Sequence, residues 1–257
     1  IPLKEKNVNR RMFCLGIAAI ALAAAGLPAA EKAGPEGGIR ILLTTGGHAF
    51  EEDAFYAMFD AMRGIEYTKA ELPKDAGLLK PGLEKQFDCI VMYDMCKPAI
   101  SPEQRKAFVE LLTTGGIGLV SMHHNLGAQW DWDEYRKIIG GRFILEPTVI
   151  DGKAWTVTPW AHGQRLNVKI ANREHPITKG VGDFEIEDEI YGKFWVDPRA
   201  EVLLTTDHSE NNPEVAWTKT YGKSRVFHLM LGHDGKAYAN PAYRKLLEQG
   251  IRWAAGR

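Results

Sequence analysis

The sequence predicts an α/β fold with a mainly parallel central sheet flanked by helices, and three observations carry that reading. Short apolar runs recur from residue 39 onward, as strands covered on both faces require. Amphipathic stretches of helical spacing stand between several of them, giving a repeated strand–helix rhythm. The composition, 45% hydrophobic and 25% charged over 257 residues, is that of an ordinary globular chain and suits one large domain or two small ones.

The first run, IRILLTT (39–45), is followed by the turn GGHAF. Across 51–62, Phe55, Met58, Phe59 and Met62 recur at helical spacing. Strands are expected at 65–72 (IEYTKAEL) and 88–94 (DCIVMYD). Ser101, Pro102 and Gln104 mark the start of a helix through a capping box with proline in its first turn; it runs to about Thr113, where TGG ends it. IGLVSM (117–122) is the fourth strand, and Asp131 with Glu134 forms a second capping-box pattern before EYRKII.

From 141 to 202 the pattern becomes a mixed β-rich insertion, with strands such as RLNVKIA and DFEIEDEIYGKFWV. EVLLTT (201–206) follows, then two strands joined by YGKS within 214–233. Asn240–Pro241 opens the last helix, whose inward face is Tyr243, Leu246, Leu247 and Ile251.

The N-terminus stands apart. Lys4, Lys6, Arg10 and Arg11 precede the apolar run 12–27, and Ala29 and Ala30 follow it. That order is the layout of a secretory signal, and NRRMF resembles the twin-arginine export motif. The run is shorter than the ~20 apolar residues of a membrane span. Residues 1–30 are therefore expected to be an export signal, 31–38 a linker and 39–257 the folded domain. The mature protein is expected in the periplasm or outside the cell, without a membrane anchor. Cys89 lies in an apolar strand run, and the extended chain carries Cys96 too far to pair with it without a sharp reversal, so both read as free thiols. The net charge of −1 offers no basic field for nucleic acid.

Ligands of such sheets gather beyond the carboxyl ends of the strands, and there the sequence concentrates histidine. His48 follows the first strand through Gly46–Gly47, and Asp94 follows the third. His123 and His124 follow the fourth, and His233 follows the last in LMLGHD. Each alone reads more plainly as a hydrogen-bonded loop residue. Four of only eight histidines at these positions point instead to one site.

Histidines can act as general acid and base near neutral pH. With carboxylates drawn from Asp94, Glu187, Asp188, Glu189 and Asp234 they can also hold a metal. No HExxH, CxxC pair, EF-hand, phosphate loop or GxGxxG is present. The turn that would carry a hydrolase nucleophile bears His123 in place of Ser or Cys. Trp130, Trp132, Tyr191 and Trp195 lie beside polar groups, a combination that suits sugar rings, although Trp195 and Trp217 fall in strand patterns and read as packing.

In order along the chain, TGGHAF, GLVSMHHNLGAQWDWDEYRKIIGGRF, HPITKGV, DEIYGKF, PEVAWTKTYGKSRVFHLMLGH and GIRWAAG resemble the ThuA-like family, named for trehalose utilisation. The resemblance runs from about Ile39 to Gly256. It implies a flavodoxin-like, class I glutamine amidotransferase-like fold in which the glutaminase triad is lost. His123 matches the histidine that the family carries at the elbow, and His48, Glu189, Tyr191 and His233 match further motif positions. His124 departs from the family, where many members have Ser or another small residue.

These readings converge on an exported carbohydrate-processing enzyme, a lyase or hydrolase acting on a glycoside or 3-keto-sugar derivative. The expected catalytic group is His48, His123, His124, Glu189 and His233, with Asp94, Trp130, Trp132 and Tyr191 binding substrate. His48, His123, His233 and Glu189 are compatible with a divalent metal, and no other cofactor is indicated. The expected partner is a small carbohydrate, with neither nucleic acid nor membrane. The alternative is a sugar-binding module that changes nothing; glutaminase activity is disfavoured because the nucleophile is missing.

Overall fold

The computed structural model describes residues 38–96 and 100–257. The expectations for an export signal and for the linker up to residue 37 lie outside the described residues.

In chain order, β1 (Ile39–Thr45), α1 (Glu52–Asp60), β2 (Ile65–Glu71), β3 (Cys89–Met92), α2 (Pro102–Glu110) and β4 (Gly118–Met122) form the first half. Next come α3 (Asp133–Ile139), β5 (Gly141–Arg142), β6 (Thr148–Ile150), β7 (Lys153–Trp155), β8 (Trp160–Ile170), β9 (Phe184–Tyr191) and β10 (Trp195–Val196). The chain closes with β11 (Glu201–Thr206), β12 (Glu214–Tyr221), β13 (Ser224–Leu229), α4 (Gly235–Ala239) and α5 (Pro241–Ala254).

Among the described residues, nine strands make one sheet in the order β2-β1-β3-β4-β13-β12-β11-β8-β9. From β2 to β13 neighbours pair parallel. From β13 to β9 they pair antiparallel. The β-rich insertion thus continues the same sheet, and only β5 with β10 and β6 with β7 form separate ribbons. α5 packs against β3, β4 and β13, while α3 packs on β12 and β13. Every residue of β3 and β4 is buried, as continuous apolar runs covered on both sides must be.

Helix faces follow the sequence. α1 buries Phe55, Met58 and Phe59; α5 buries Tyr243, Leu246, Leu247 and Ile251. Each such burial contributes about 1.5–3 kcal/mol relative to exposure. Gly118 sets how closely α5 approaches β4, since a Cβ there would lie 2.4 Å from the carbonyl oxygen of Ala254. The capping box of Ser101 and Gln104 is formed. The second one is not: α3 starts without a side-chain cap, because Asp131 instead grips Arg105 through both carboxylate oxygens at 2.8 Å. Cys89 and Cys96 are free and buried. No helix among the described residues is long and apolar enough to cross a membrane.

Candidate functional site

β4 ends at Met122, and the chain then turns abruptly. His123 adopts φ +47°, a left-handed conformation that costs a non-glycine residue about 1–2 kcal/mol. The surroundings hold it there. His123 Nδ1 donates to the carbonyl oxygen of Met230 at 2.7 Å, and the ring stacks on Tyr191 with centroids 5.0 Å apart. Two residues on, Asn125 donates to the Asp94 carbonyl oxygen at 2.8 Å and accepts from Ser121 Oγ and Tyr135 OH, each at 2.7 Å. Strain fixed by this many partners is characteristic of functional turns.

The other groups arrive from distant strands. His123 Nε2 lies 3.0 Å from Glu189 Oε2, 2.9 Å from Tyr191 OH and 3.3 Å from His233 Nδ1. His233 Nδ1 is 3.2 Å from the same Glu189 oxygen. Asp188 holds the loop after β13 in place by accepting from the backbone N–H groups of Gly232 (2.7 Å) and His233 (2.9 Å). β9 therefore supplies three groups, with Asp188 holding the loop, Glu189 in the cluster and Tyr191 on the cluster's wall.

Sequence reasoning missed His162. In the β8–β9 ladder Ala161 pairs with Ile190 and Gln164 with Asp188, so His162 and Gly163 together face Glu189. This is a β-bulge, with Gly163 at φ +62°. It brings His162 Nδ1 to 3.6 Å from Glu189 Oε1 and its ring to 4.3 Å from that of His233. The available signal was the His-Gly pair inside an otherwise strand-like stretch, since glycine there marks a bulge.

Burial disfavours a charge on Glu189, but hydrogen bonding with the imidazoles of His123 and His233 outweighs it and holds the carboxyl well below the usual range. The same hydrogen bond, against partial burial, raises His233. His124 is pushed strongly down by burial and by the neighbouring His123 and His48, so it is neutral. Its Nε2 donates to the Tyr93 carbonyl oxygen at 2.7 Å, and its ring lies between Tyr93 and His48 at 4.2 and 4.5 Å. His124 thus forms a floor under His48.

Glu189, Tyr191, His48, His124 and His162 line one cavity of about 260 Å³, closed on its apolar sides by Met95, Phe143, Leu145 and Trp160. The cluster therefore gathers His123, Glu189, Tyr191 and His233, with His48 and His124 alongside. His48 does not join the expected ligand set. Its Nδ1 is turned to the Ala49 carbonyl oxygen at 2.7 Å, and its ring stacks on His124.

Three expected substrate contacts lie elsewhere. Asp94 is fully buried beneath the strand ends, accepting from Thr44 Oγ1 at 2.7 Å. Trp130 borders a neighbouring groove with Arg142 and Thr148, and Trp132 packs on Tyr135 with Arg105 over its ring. Both tryptophans follow the short turn 123–127, which carries them past the cavity. The exposed aromatic on the cavity is Trp160, 57% accessible, from β8. Of the remaining acids, Glu187 pairs with Lys236 and Asp234 caps α4.

Fold and site together define a mixed α/β protein with a buried histidine–carboxylate centre at the carboxyl ends of its parallel strands. The chain belongs to the ThuA family, described as trehalose utilisation, which matches residues 40–254. Membership ties it to carbohydrate utilisation at the level of the family. No curated protein matches the sequence.

Among solved structures, a ThuA-like protein from Parabacteroides merdae is similar at 20% identity and TM-score 0.68, over 85% of this chain and 90% of that one. A cytoplasmic protein from Salmonella typhimurium LT2 is similar at 13% identity and TM-score 0.57, over 83% and 99%. A β-galactosidase from Bacillus circulans sp. alkalophilus aligns at 10% identity and TM-score 0.54, over 85% of this chain and 31% of that one. At these identities the likeness concerns the fold alone.

Proposed function

We propose that the protein is an exported carbohydrate-processing enzyme that acts on a glycoside or a 3-keto-sugar derivative by acid–base chemistry. The observation that carries this reading is the single cavity onto which His48, His162, Glu189 and Tyr191 open beside the apolar faces of Phe143 and Trp160. Such a mixture binds the C–H faces of a sugar by stacking and its oxygens by hydrogen bonds. His48 also borders a second cavity of about 600 Å³ with Tyr56, Lys69 and Glu71, which leaves room for a second ring. Export rests on the basic–apolar–small pattern of residues 4–30.

In a 3-keto-glycoside the hydrogen on C2 is acidified by the neighbouring ketone. A base removes that proton, the C–H electron pair becomes the C1–C2 double bond, and the C1–O bond breaks. The departing oxygen takes a proton from an acid. Addition of water to the double bond completes a net hydrolysis. His48 and His162 are the exposed imidazoles on the cavity and supply base and acid. Tyr191 OH, which donates to His123 Nε2 at 2.9 Å, turns its oxygen to the cavity as an acceptor for a sugar hydroxyl. His123 itself is fully buried, so it acts as a positioning residue behind Tyr191 rather than as a shuttle.

The test is incubation with a panel of 3-keto-glycosides and their parent glycosides, with products followed by mass spectrometry. Release of the aglycone is expected, falling by about 10²–10⁴-fold in His48→Ala and His162→Ala. Binding of the sugars without any new product would replace this reading with that of a sugar-binding module.

A further inference from the structure

We infer that His123, Glu189 and His233 form a binding site for one divalent transition-metal ion of the zinc class, with His162 as an additional ligand or outer partner. The inference concerns the same site as the proposed function, and its readout is kept separate from turnover.

Met230 O can only accept, so His123 Nδ1 carries a ring proton, and in the neutral ring the Nε2 lone pair turns inward toward Glu189 and Tyr191 OH. Facing it at 3.0 Å is an oxygen of Glu189, which also only accepts when ionised. His233 Nδ1 approaches both, at 3.2 and 3.3 Å. Three such acceptor-capable atoms gather around a positive centre, which a shared proton or a metal ion can supply. An imidazole fixed by a backbone carbonyl on its far nitrogen is also the usual outer support of a metal-bound histidine.

Ligands about 2.0–2.1 Å from a tetrahedral ion stand about 3.3–3.4 Å from one another. Cis ligands of an octahedral ion at similar distances stand closer, near 3 Å. The edges here, 3.0, 3.2 and 3.3 Å, span these values without movement of the backbone. Two imidazoles and one carboxylate are a donor set that zinc and its neighbours accept in catalytic sites with an open position.

The His123 side chain is inaccessible, and that of Glu189 is 8% exposed. His233 is more open at 21%. The triangle is therefore closed by protein behind and open on one flank. His162 Nδ1, 3.6 Å from the second Glu189 oxygen, sits on that flank and needs only a side-chain rotation to approach an ion. Asp188 anchors the backbone of His233, so the third ligand is preset rather than recruited from a loose loop.

The experiment uses the full folded domain, stripped with a chelator and titrated with Co(II) and then Zn(II). One equivalent of cobalt is expected, with visible d–d absorption displaced by zinc, and zinc is expected to raise the melting temperature. Glu189→Gln and His233→Ala should each weaken cobalt binding about 100-fold or more, beyond the 10–100-fold cost of losing an outer partner. His48→Ala should leave it unchanged, because that ring points elsewhere. Circular dichroism confirms that each variant is folded, and the wild-type titration decides the matter even if one is not. Folded wild-type protein that takes up no cobalt at neutral pH overturns the site, and a protonated imidazolium then fills its place. Uptake unaffected by Glu189→Gln also overturns it. Stoichiometric uptake lost in that variant supports the metal site whether or not any sugar is turned over, and sugar turnover without uptake supports only the proposed function.

Discussion

His123 Nδ1 lies 2.7 Å from the carbonyl oxygen of Met230, and this one contact orients the whole centre. It ties the turn after β4 to the segment after β13, so that Nε2 faces Glu189 and Tyr191. His123→Ala and His123→Asn are both expected to lower turnover by about 10²-fold, the cost of a misplaced binding group. They should differ in stability: Asn tolerates the left-handed backbone at φ +47° better than Ala does, so thermal melting should show the Asn variant to be the more stable.

Asp188 accepts three backbone N–H groups, from Glu189 and His233 on Oδ1 and from Gly232 on Oδ2, in a buried position. Asp188→Asn turns one acceptor into a donor opposite an N–H. Urea denaturation should show a loss of about 1–3 kcal/mol. Because Gly232, the neighbour of His233, loses its anchor, cobalt affinity should fall in the same variant, whereas a purely global effect on stability would leave affinity of the folded fraction intact.

His228 is buried and stacked on Trp217 at 4.3 Å. Ser121 Oγ donates to Asn125, so His228 Nδ1 donates to Ser121 Oγ at 2.9 Å, and His228 Nε2 has no partner. Burial, aided by the nearby His123, pushes its pKa down from 6.5 to about 3. The unfolded chain then binds a proton that the folded one refuses. Stability is complete above pH 6.5 and is lost as pH falls toward 3, by about 1.4 kcal/mol per unit from this residue. His228→Phe keeps the stack and removes the titration, so the urea midpoint should depend less steeply on pH across that window.

Asp94 behaves in the opposite sense. Burial lifts its carboxyl from 3.8 to about 6, against the hydrogen bond from Thr44. The folded state therefore holds the proton more tightly than the unfolded one. Stability is greatest below pH 3.8 and declines as pH rises to 6. Asp94→Asn still accepts from Thr44 and should be more stable than the parent at pH 8, by up to about 3 kcal/mol, with the difference vanishing below pH 4. Equal stability at pH 8 would show that the carboxylate has solvation not accounted for by its surroundings.

Much of the architecture was legible in local pattern. The runs IRILLTT and EVLLTT coincide with β1 and β11, and the apolar spacing of the last helix identified its buried face. The same logic found His123 and His233 at strand ends, because a parallel sheet places all such ends on one side. It failed where pairing partners decide the outcome. His162 reaches Glu189 only through a bulge formed opposite β9, and neither strand announces that alone. Asp131 was spent on Arg105, 26 residues away, rather than on its own helix.

The sequence by itself determined the alternation of buried strands and amphipathic helices, the free thiols, the family and the histidines near the sheet's carboxyl rim. These follow from hydrophobic period and from chemistry carried by single residues. Tertiary structure alone decided which imidazoles meet. His123 and His233 converge on Glu189 while His48 turns aside to His124, and Trp160 takes the exposed position on the cavity that the tryptophans at 130 and 132 do not. The reason is that a side chain's direction depends on the backbone angle at its own turn and on contacts from strands far away in the chain, and neither quantity is written in local periodicity.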